Sequence, residues 1–456
     1  MSEFPFEPPT KKRQGANRLA ILALVLIVLV PIVYFSVFAE GDRWRAAQAM
    51  EAWLDGEQKA SIETLTEITN RLPNEHRLKL VLGEWLLEDY QAEKAFELAR
   101  SIPEQFQDQR FQTLLQNCLM ALGEYDEALD AYRAANPANE SRNYQEELFH
   151  KNALAYFQSL AGSELPLALK NSNHVLGEIS FFWNQEQALP LSVHVQGLFC
   201  TALIYYEQIK RSQGDTEKQQ MYADKAIVIL SGAIAHLTEE VASWKQDLPA
   251  EATPTSEVET PSTDAPKNLS QDSADVEESV EEPELASQRK ELTQSLEVLL
   301  TLRALIYQAM QQEELSFADR RQILELGGDP ETLAGTLPSF EECIFQLELV
   351  AMVLDTRGCV NYGLNEIPAA LSDLNVAVMG QEALVDVAFL TPRNGRETSL
   401  DPRQQYEEFV RARQRTLAAL LFHRSWVWRA AGKSAEATED LAKIRQLGYV
   451  PGNYLF

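Results

Sequence analysis

The segment GEYDEALDAYRAA, from Gly123 to Ala135, has a helical pattern but carries alanines where an isolated amphipathic helix would carry leucine. Small residues on the buried face of a helix let a second helix approach closely. A glycine directly before the pattern is typical of a turn, because glycine tolerates backbone angles that other residues avoid. The segment therefore predicts one half of a tightly packed helix pair.

Residues of the same character recur along the chain at a period of about 34, which is typical of a helical solenoid. The first positions are Ala49, Gly83 and Gln116, and the positions 12 residues later are Ser61, Ala95 and Ala128. Two further units, at 351–384 and 418–451, keep the same offset between Gly358 and Ala370 and between Ser425 and Ala437. These five units predict an all-α fold.

The units resemble tetratricopeptide repeats (TPRs). Gly123, Tyr125, Ala128, Tyr132 and Ala135 match the second helix of that family at every position, and Leu82-Gly83 matches the end of its first helix. Between the well-matched units the pattern is looser. Asn152–Leu176 offers one degenerate unit, and Leu198–Gln213 with Gln219–Trp244 predicts a longer helix pair.

The resemblance implies a groove that is lined by the first helix of each unit and receives a segment of a partner protein. Its groove-facing offsets fall on Arg110, Thr113, Asn117, Asp355, Tyr362, Phe422, Trp426 and Arg429. Aromatic and arginine side chains often dominate binding energy, which favours the last three of these residues. The alternative for Phe422 and Trp426 is packing between helices. The lysine and asparagine clamp by which some family members bind a C-terminal carboxylate is not reproduced.

Residues 19–38, LAILALVLIVLVPIVYFSVF, contain no charged side chain. Twenty helical residues span about 30 Å, the thickness of a bilayer core. Lys11, Lys12, Arg13 and Arg18 precede the run, so the positive-inside rule places residues 1–18 in the cytoplasm and the chain after residue 39 outside it. We expect a single-pass membrane helix over 19–39. Cleavage after Ala39 is the alternative, although the apolar run is longer than a usual signal core.

Residues 248–288 are rich in acidic residues, proline, serine and threonine. Such a composition cannot bury enough apolar surface to offset the entropy lost on ordering, so we expect a disordered acidic linker. It lies between helical repeats over 40–247 and helical repeats over 289–456, and the helices on both sides favour one repeat array with an insertion over two separate domains. Proline suits a first helical turn, which predicts that a helix begins near Pro283 or Glu284.

Charge and motifs exclude several classes of function. The formal net charge of −28 disfavours binding to nucleic acid. Cys118, Cys200, Cys343 and Cys359 are too widely spaced for a zinc or redox motif and are predicted to be buried free thiols. The sequence contains no H-E-x-x-H, no glycine-rich phosphate loop and no G-x-S-x-G. We therefore expect no catalytic site, no cofactor and no metal.

Together these features predict a membrane-anchored TPR-like scaffold or adaptor that binds protein partners on the extracytoplasmic side. Asn139 and Asn268 begin N-x-S triplets that would be glycosylated in a eukaryotic lumen, which favours a bacterial envelope and hence the periplasm. Two alternatives remain open at this point. One is a regulatory subunit or divergent enzyme of the cell envelope, and the other is a self-associating structural protein.

Overall fold

The computed structural model describes residues 40–53, 55–137, 141–187, 189, 191–246, 283–387 and 402–453. These residues form helices joined by turns, with no strand among them, so the all-α prediction is confirmed for this part of the chain. The predicted membrane helix over 19–39 and residues 248–282 of the predicted acidic linker lie outside it and stay predictions, whereas residues 283–288 of that linker are helical, so its predicted end was wrong. The described chain divides into two compact units, residues 40–137 (unit 1) and residues 141–453 (unit 2).

Unit 1 consists of three consecutive helix pairs. The pairs are formed by α1 (40–53) with α2 (Gln58–Arg71), α3 (His76–Glu88) with α4 (Ala92–Arg100), and α5 (Gln109–Leu122) with α6 (Tyr125–Ala135). A single 3₁₀ turn, Glu104–Phe106, precedes α5. The predicted period of about 34 therefore corresponds to one helix pair in this unit.

Unit 2 contains the remaining helices. They are α7 (Tyr144–Leu160), α8 (Leu165–Gln187), α9 (Val193–Arg211), α10 (Thr216–Gln246), α11 (Pro283–Ala309), α12 (Glu313–Leu326), α13 (Pro330–Gly335), α14 (Phe340–Gly363), α15 (Ile367–Asp386), α16 (Pro402–Ala430) and α17 (Ser434–Gln446). The start of α11 at Pro283 confirms the position predicted from its proline. The four cysteines are buried and free, as their spacing predicted.

The segment Gly123–Ala135 has the structure that its small residues predict. Gly123 ends α5 with a left-handed φ of 80°, where a side chain would be strained. Ala128 in α6 is fully buried. In the preceding pair, a Cβ added to Gly83 would lie 2.6 Å from a methyl carbon of Leu114 in α5. Small side chains are therefore what lets these helices lie this close together.

Helices α11 and α12 form a sixth unit of the same register, which the repeat pattern in the sequence did not predict. Ala304, Ser316 and Ile323 occupy its small and apolar positions with the familiar offsets and are buried. The position between the last two is Arg320, where the other well-matched units carry a large apolar or small residue. This arginine donates to Gln308 in α11, so the substitution hides the unit from the pattern without disturbing the pair.

Three helix pairs of unit 2 share an ion pair that spans 16 residues. Its members are Arg303 with Asp319, Arg357 with Asp373, and Arg424 with Asp440. In each, the arginine binds both carboxylate oxygens at 2.6–2.9 Å through Nε and Nη2. The remaining Nη1 donates to a helix outside the pair, at Ser231, Asn173 and Asn375 respectively. Each arginine thus joins three helices.

The helices of unit 2 do not stack simply in chain order. Helix α14 packs against α15 and also against α7, α8 and α9, which precede it by more than a hundred residues. Its buried residues point in several directions, and a helix that is apolar on most sides needs neighbours on most sides. The stacking therefore departs from the sequential solenoid that the resemblance implied.

Among the described helices, residues Thr216–Ser243 of α10 are long and apolar enough to cross a membrane. Ala226, Leu230 and Leu237 of this helix are buried in the core that α10 shares with α9 and α11. Packing within unit 2 thus accounts for the buried residues of this stretch, which are 28% of it.

Candidate functional site

Four of the predicted groove residues lie together in unit 2. Phe422 and Trp426 of α16 are in contact, with ring centroids 5.0 Å apart, and Tyr362 of α14 lies 6.5 Å from Trp426. Asp355 lies seven residues before Tyr362 on α14 and is hydrogen-bonded to His423. The ring of His423 lies 5.2 Å from that of Trp426, so Asp355 belongs to the same cluster. Phe422 and Trp426 are half-buried, so they combine interhelix packing with a partly open face.

Asp355 does not present a free carboxylate, because it accepts a hydrogen bond from His423 Nδ1 at 2.7 Å. The other ring nitrogen, Nε2, lies 3.3 Å from the hydroxyl of Tyr156 in α7. The side chain of His423 is only 1% exposed. The three side chains are hydrogen-bonded in series and connect α7, α16 and α14. Such a series satisfies the hydrogen bonds of buried polar groups.

Cys359 lies beside this hydrogen-bonded series, and ligand atoms of Asp355, Cys359 and His423 fall within 4.8 Å of one another. Such residue types can bind zinc. However, Nδ1 of His423 is already engaged by Asp355. Burial also raises the pKa of the Cys359 thiol well above its ordinary value, with a smaller contribution from the charge of Asp355. The cluster is explained by packing and hydrogen bonding alone.

Of the other predicted groove residues, Arg110, Thr113 and Asn117 belong to unit 1, and Arg429 follows Trp426 by three residues on α16. Arg110 at the start of α5 binds both carboxylate oxygens of Glu84 in α3, and its side chain is half exposed. Thr113 is exposed and donates to the carbonyl of Gln109, while Asn117 is half-buried. Arg429 is exposed near the end of α16. Nothing in their contacts tests a binding role, so it stays a prediction.

A groove of about 510 Å³ lies between α7, α8 and α14, and the sequence analysis missed it. Its floor contains Val175 and Val353, which are buried. Its edges carry large exposed aromatic side chains, namely Tyr144, Phe149, Phe182 and Phe345. Exposed aromatic residues gathered at one concave surface mark a binding site more often than scattered apolar residues do.

Two of the three helices that border the groove, α7 and α14, are capped at their start. A capping box closes the N-terminus of α7 between Asn143 and Glu146, and another closes that of α14 between Ser339 and Glu342. Such boxes satisfy backbone N–H groups that a helix start leaves without partners. Hydrogen bonds from Ser339 hold the pKa of Glu342 below its ordinary value. This residue therefore brings a negative charge to the groove edge.

The polar groups of the groove have an unusual distribution. Among the described residues, the only charged side chains that line it are Glu186 and Glu342, both acidic. Asn152 and Trp183 also line it and are 5% and 4% exposed. The side-chain oxygen of Asn152 and the indole nitrogen of Trp183 have no hydrogen-bond partner among the described residues. Buried polar atoms in folded proteins usually have one, so these two atoms need an explanation.

Comparisons with known proteins add little to this geometry. No family model matches the chain, and no curated protein matches it significantly. The crystal structure of yeast Tom70 is similar over 90% of this chain and 76% of that chain, with 11% identity and a TM-score of 0.24. The crystal structure of the APC/C hetero-tetramer Cut9-Hcn1 is similar over 91% of this chain and 88% of that chain, with 12% identity and a TM-score of 0.26. At these TM-scores the similarities support no inference about function.

Proposed function

We propose that this protein is a membrane-anchored scaffold without catalytic activity, which binds protein partners on the extracytoplasmic side through its helical repeats. The observation that carries the proposal is the groove between α7, α8 and α14 with its exposed aromatic edges. Clusters of this kind are typical of protein-binding surfaces, where large aromatic side chains supply most of the binding energy.

The anchor and the orientation rest on the sequence. The uncharged run 19–38 has the length of a membrane helix, and basic residues precede it. Lipid contact is thus proposed for that run, and the helical units are proposed to lie in the periplasm of a bacterium. The enzyme alternative has less support, because His423 is buried and engaged on both ring nitrogens.

Alkaline phosphatase fused after Phe456 tests the orientation. The enzyme folds only outside the cytoplasm, so we expect an active fusion, while a reporter that requires the cytoplasm stays inactive at the same position. Activity of the cytoplasmic reporter alone would reject the proposed side of the membrane. Crosslinking of the full-length protein in native membranes, followed by purification, tests whether it holds stable protein partners.

A further inference from the structure

We propose that the groove between α7, α8 and α14 binds an amphipathic helix of a partner protein, with apolar residues on one face and lysine or arginine along its edge. This inference rests on the proposed scaffold function and names the chemistry of the partner. It concerns a surface built by helices far apart in the chain, since α14 starts 180 residues after the end of α7.

The apolar part of the argument comes from the side chains at the groove edge. Phe345 on α14 is 65% exposed, and Phe149 on α7 and Phe182 on α8 are exposed as well. They stand on three different helices around one concave surface. An enclosed small molecule would leave much of these rings in water, whereas a helix laid along the groove would cover them. Helix-in-groove recognition uses apolar anchors spaced along one face in this way.

The charge of the partner follows from the groove lining. In the part of the chain that the structure describes, Glu186 and Glu342 are the charged residues that line it, and no basic side chain does so. Glu186 is exposed and has no ion-pair partner among the described residues. Carboxylates at the edge of an apolar groove attract basic partners and repel acidic ones, which affects specificity and association rate more than affinity.

The buried polar atoms favour a partner that brings hydrogen-bonding side chains. The oxygen of Asn152 can accept a hydrogen bond and the indole nitrogen of Trp183 can donate one, and neither does so within the described chain. An unsatisfied buried polar atom is destabilising. A bound helix whose side chains offer a donor and an acceptor would remove this deficit. A purely apolar partner would leave it in place.

The test uses the full-length protein in detergent and two labelled 18-residue peptides with the same leucine and phenylalanine face. One carries lysine along the edge of that face, and the other carries glutamate at the same positions. Fluorescence anisotropy gives the Kd of each, with detergent alone as the blank. We expect saturable binding of the lysine peptide and at least tenfold weaker binding of the glutamate peptide.

Two pairs of variants locate the binding. Phe345→Asp should raise the Kd of the lysine peptide about tenfold or more, because exposed aromatic anchors contribute strongly to binding. Phe317→Asp on α12, where the phenylalanine is 71% exposed outside the groove, should change the Kd less than twofold. Glu186→Lys should raise the Kd of the lysine peptide and lower the Kd of the glutamate peptide. Glu314→Lys, also on α12, should do neither, and circular dichroism checks that each variant keeps its helicity.

Equal binding of the two peptides, or equal effects of Phe345→Asp and Phe317→Asp, would overturn the inference. A second contrary outcome is that the wild type binds neither peptide and is a dimer, while the Phe345→Asp variant is a monomer. A second copy of the protein would then occupy the groove. Failure of this inference is separable from failure of the scaffold function. If partners crosslinked in native membranes are retained by Phe345→Asp, the scaffold stands and the groove is not where they bind.

Discussion

Units 1 and 2 build their helix pairs on the same spacing of small residues, yet they place their arginine–carboxylate pairs differently. In unit 1, Arg110 and Glu84 form a two-pronged ion pair in which both side chains are substantially exposed. In unit 2, Arg357 and Asp373 form a pair of the same geometry, but the Asp373 side chain is 2% exposed. The comparison separates what the shared repeat needs from what each unit adds.

The shared part is close packing, because both units require a small residue where the paired helices meet. The added part of unit 2 is a set of arginines, each paired with a buried carboxylate, that tie each pair to a third helix. Such contacts suit a unit in which α14 packs against helices from a distant part of the chain. A buried ion pair gains little stability over an apolar contact but imposes a particular arrangement, because misplacing it leaves a charge unpaired. We interpret the three buried pairs as contacts that favour this packing over alternatives.

The largest expected effect follows from removing one carboxylate of unit 2. Asp373→Ala leaves Arg357, His194 and Asn361 without their shared acceptor. Breaking a buried pair by removing one partner typically costs about 3–5 kcal/mol. We expect hydrogen exchange, measured by mass spectrometry, to accelerate strongly in α14 and α15.

Glu84→Ala in unit 1 is the matched control for that variant. It breaks the exposed pair with Arg110, and exposed pairs contribute only about 0–1 kcal/mol. Exchange in α3 and α5 should therefore change little. Similar losses of protection in both variants would show that burial is not what distinguishes the two units.

The glycines at equivalent repeat positions give the next largest effect. A Cβ at Gly83 would lie 2.6 Å from Leu114 in the following helix pair, whereas a Cβ at Gly358 would lie 2.7 Å from Leu374 in its own pair. Valine at either position should destabilise its unit by about 1–3 kcal/mol through overpacking. Urea unfolding of each variant, followed through local hydrogen exchange, measures the loss.

A second substitution at the neighbouring leucine tests which side chain the valine at each glycine position clashes with. Leu114→Ala should partly offset Gly83→Val, and Leu374→Ala should partly offset Gly358→Val, because each removes the side chain that the new valine meets. Gly177→Val is the control, since no atom beyond its chain neighbours and its own helix backbone lies within 4 Å of its added Cβ. If Gly177→Val is as harmful as the other two, helix propensity and not the close approach explains the effect.

Comparison of sequence and structure shows which features a repeat pattern can predict. It identified the small residues Ala95, Ala128 and Ala370, because close helix crossings restrict side-chain size whatever the neighbour is. It did not identify α11 with α12, because the repeat there carries the polar Arg320 at an otherwise apolar or small position. A pattern read along the chain thus detects pairs only where their packing residues are typical.

The candidate sites show a second limit of the sequence. The resemblance to tetratricopeptide repeats placed Asp355 on a groove, but its carboxylate is engaged by His423 of α16, which lies 68 residues later in the chain. The groove between α7, α8 and α14 was not predicted, because amphipathicity tells which face of a helix is apolar and not which helix covers it. Its only local signals were the aromatic residues Phe149, Phe182 and Phe345, which single-helix patterns cannot distinguish from core.

The smallest expected effect is the pH dependence of the buried pair in unit 2. Burial opposes ionisation of Asp373, but hydrogen bonds from Arg357 and His194 outweigh it and hold its pKa below the ordinary value. A carboxyl whose pKa is lower in the folded state stabilises fully above its unfolded pKa, about 3.9, and this contribution is lost as the pH falls through the folded pKa. We therefore expect the advantage of the wild type over Asp373→Asn to shrink on acidification from pH 5. Urea unfolding at a series of pH values from 5 downwards, followed through hydrogen exchange in α14 and α15, measures the difference in stability between the two proteins. A difference that stays constant or grows would show that the ionised carboxylate is not what stabilises this part of unit 2.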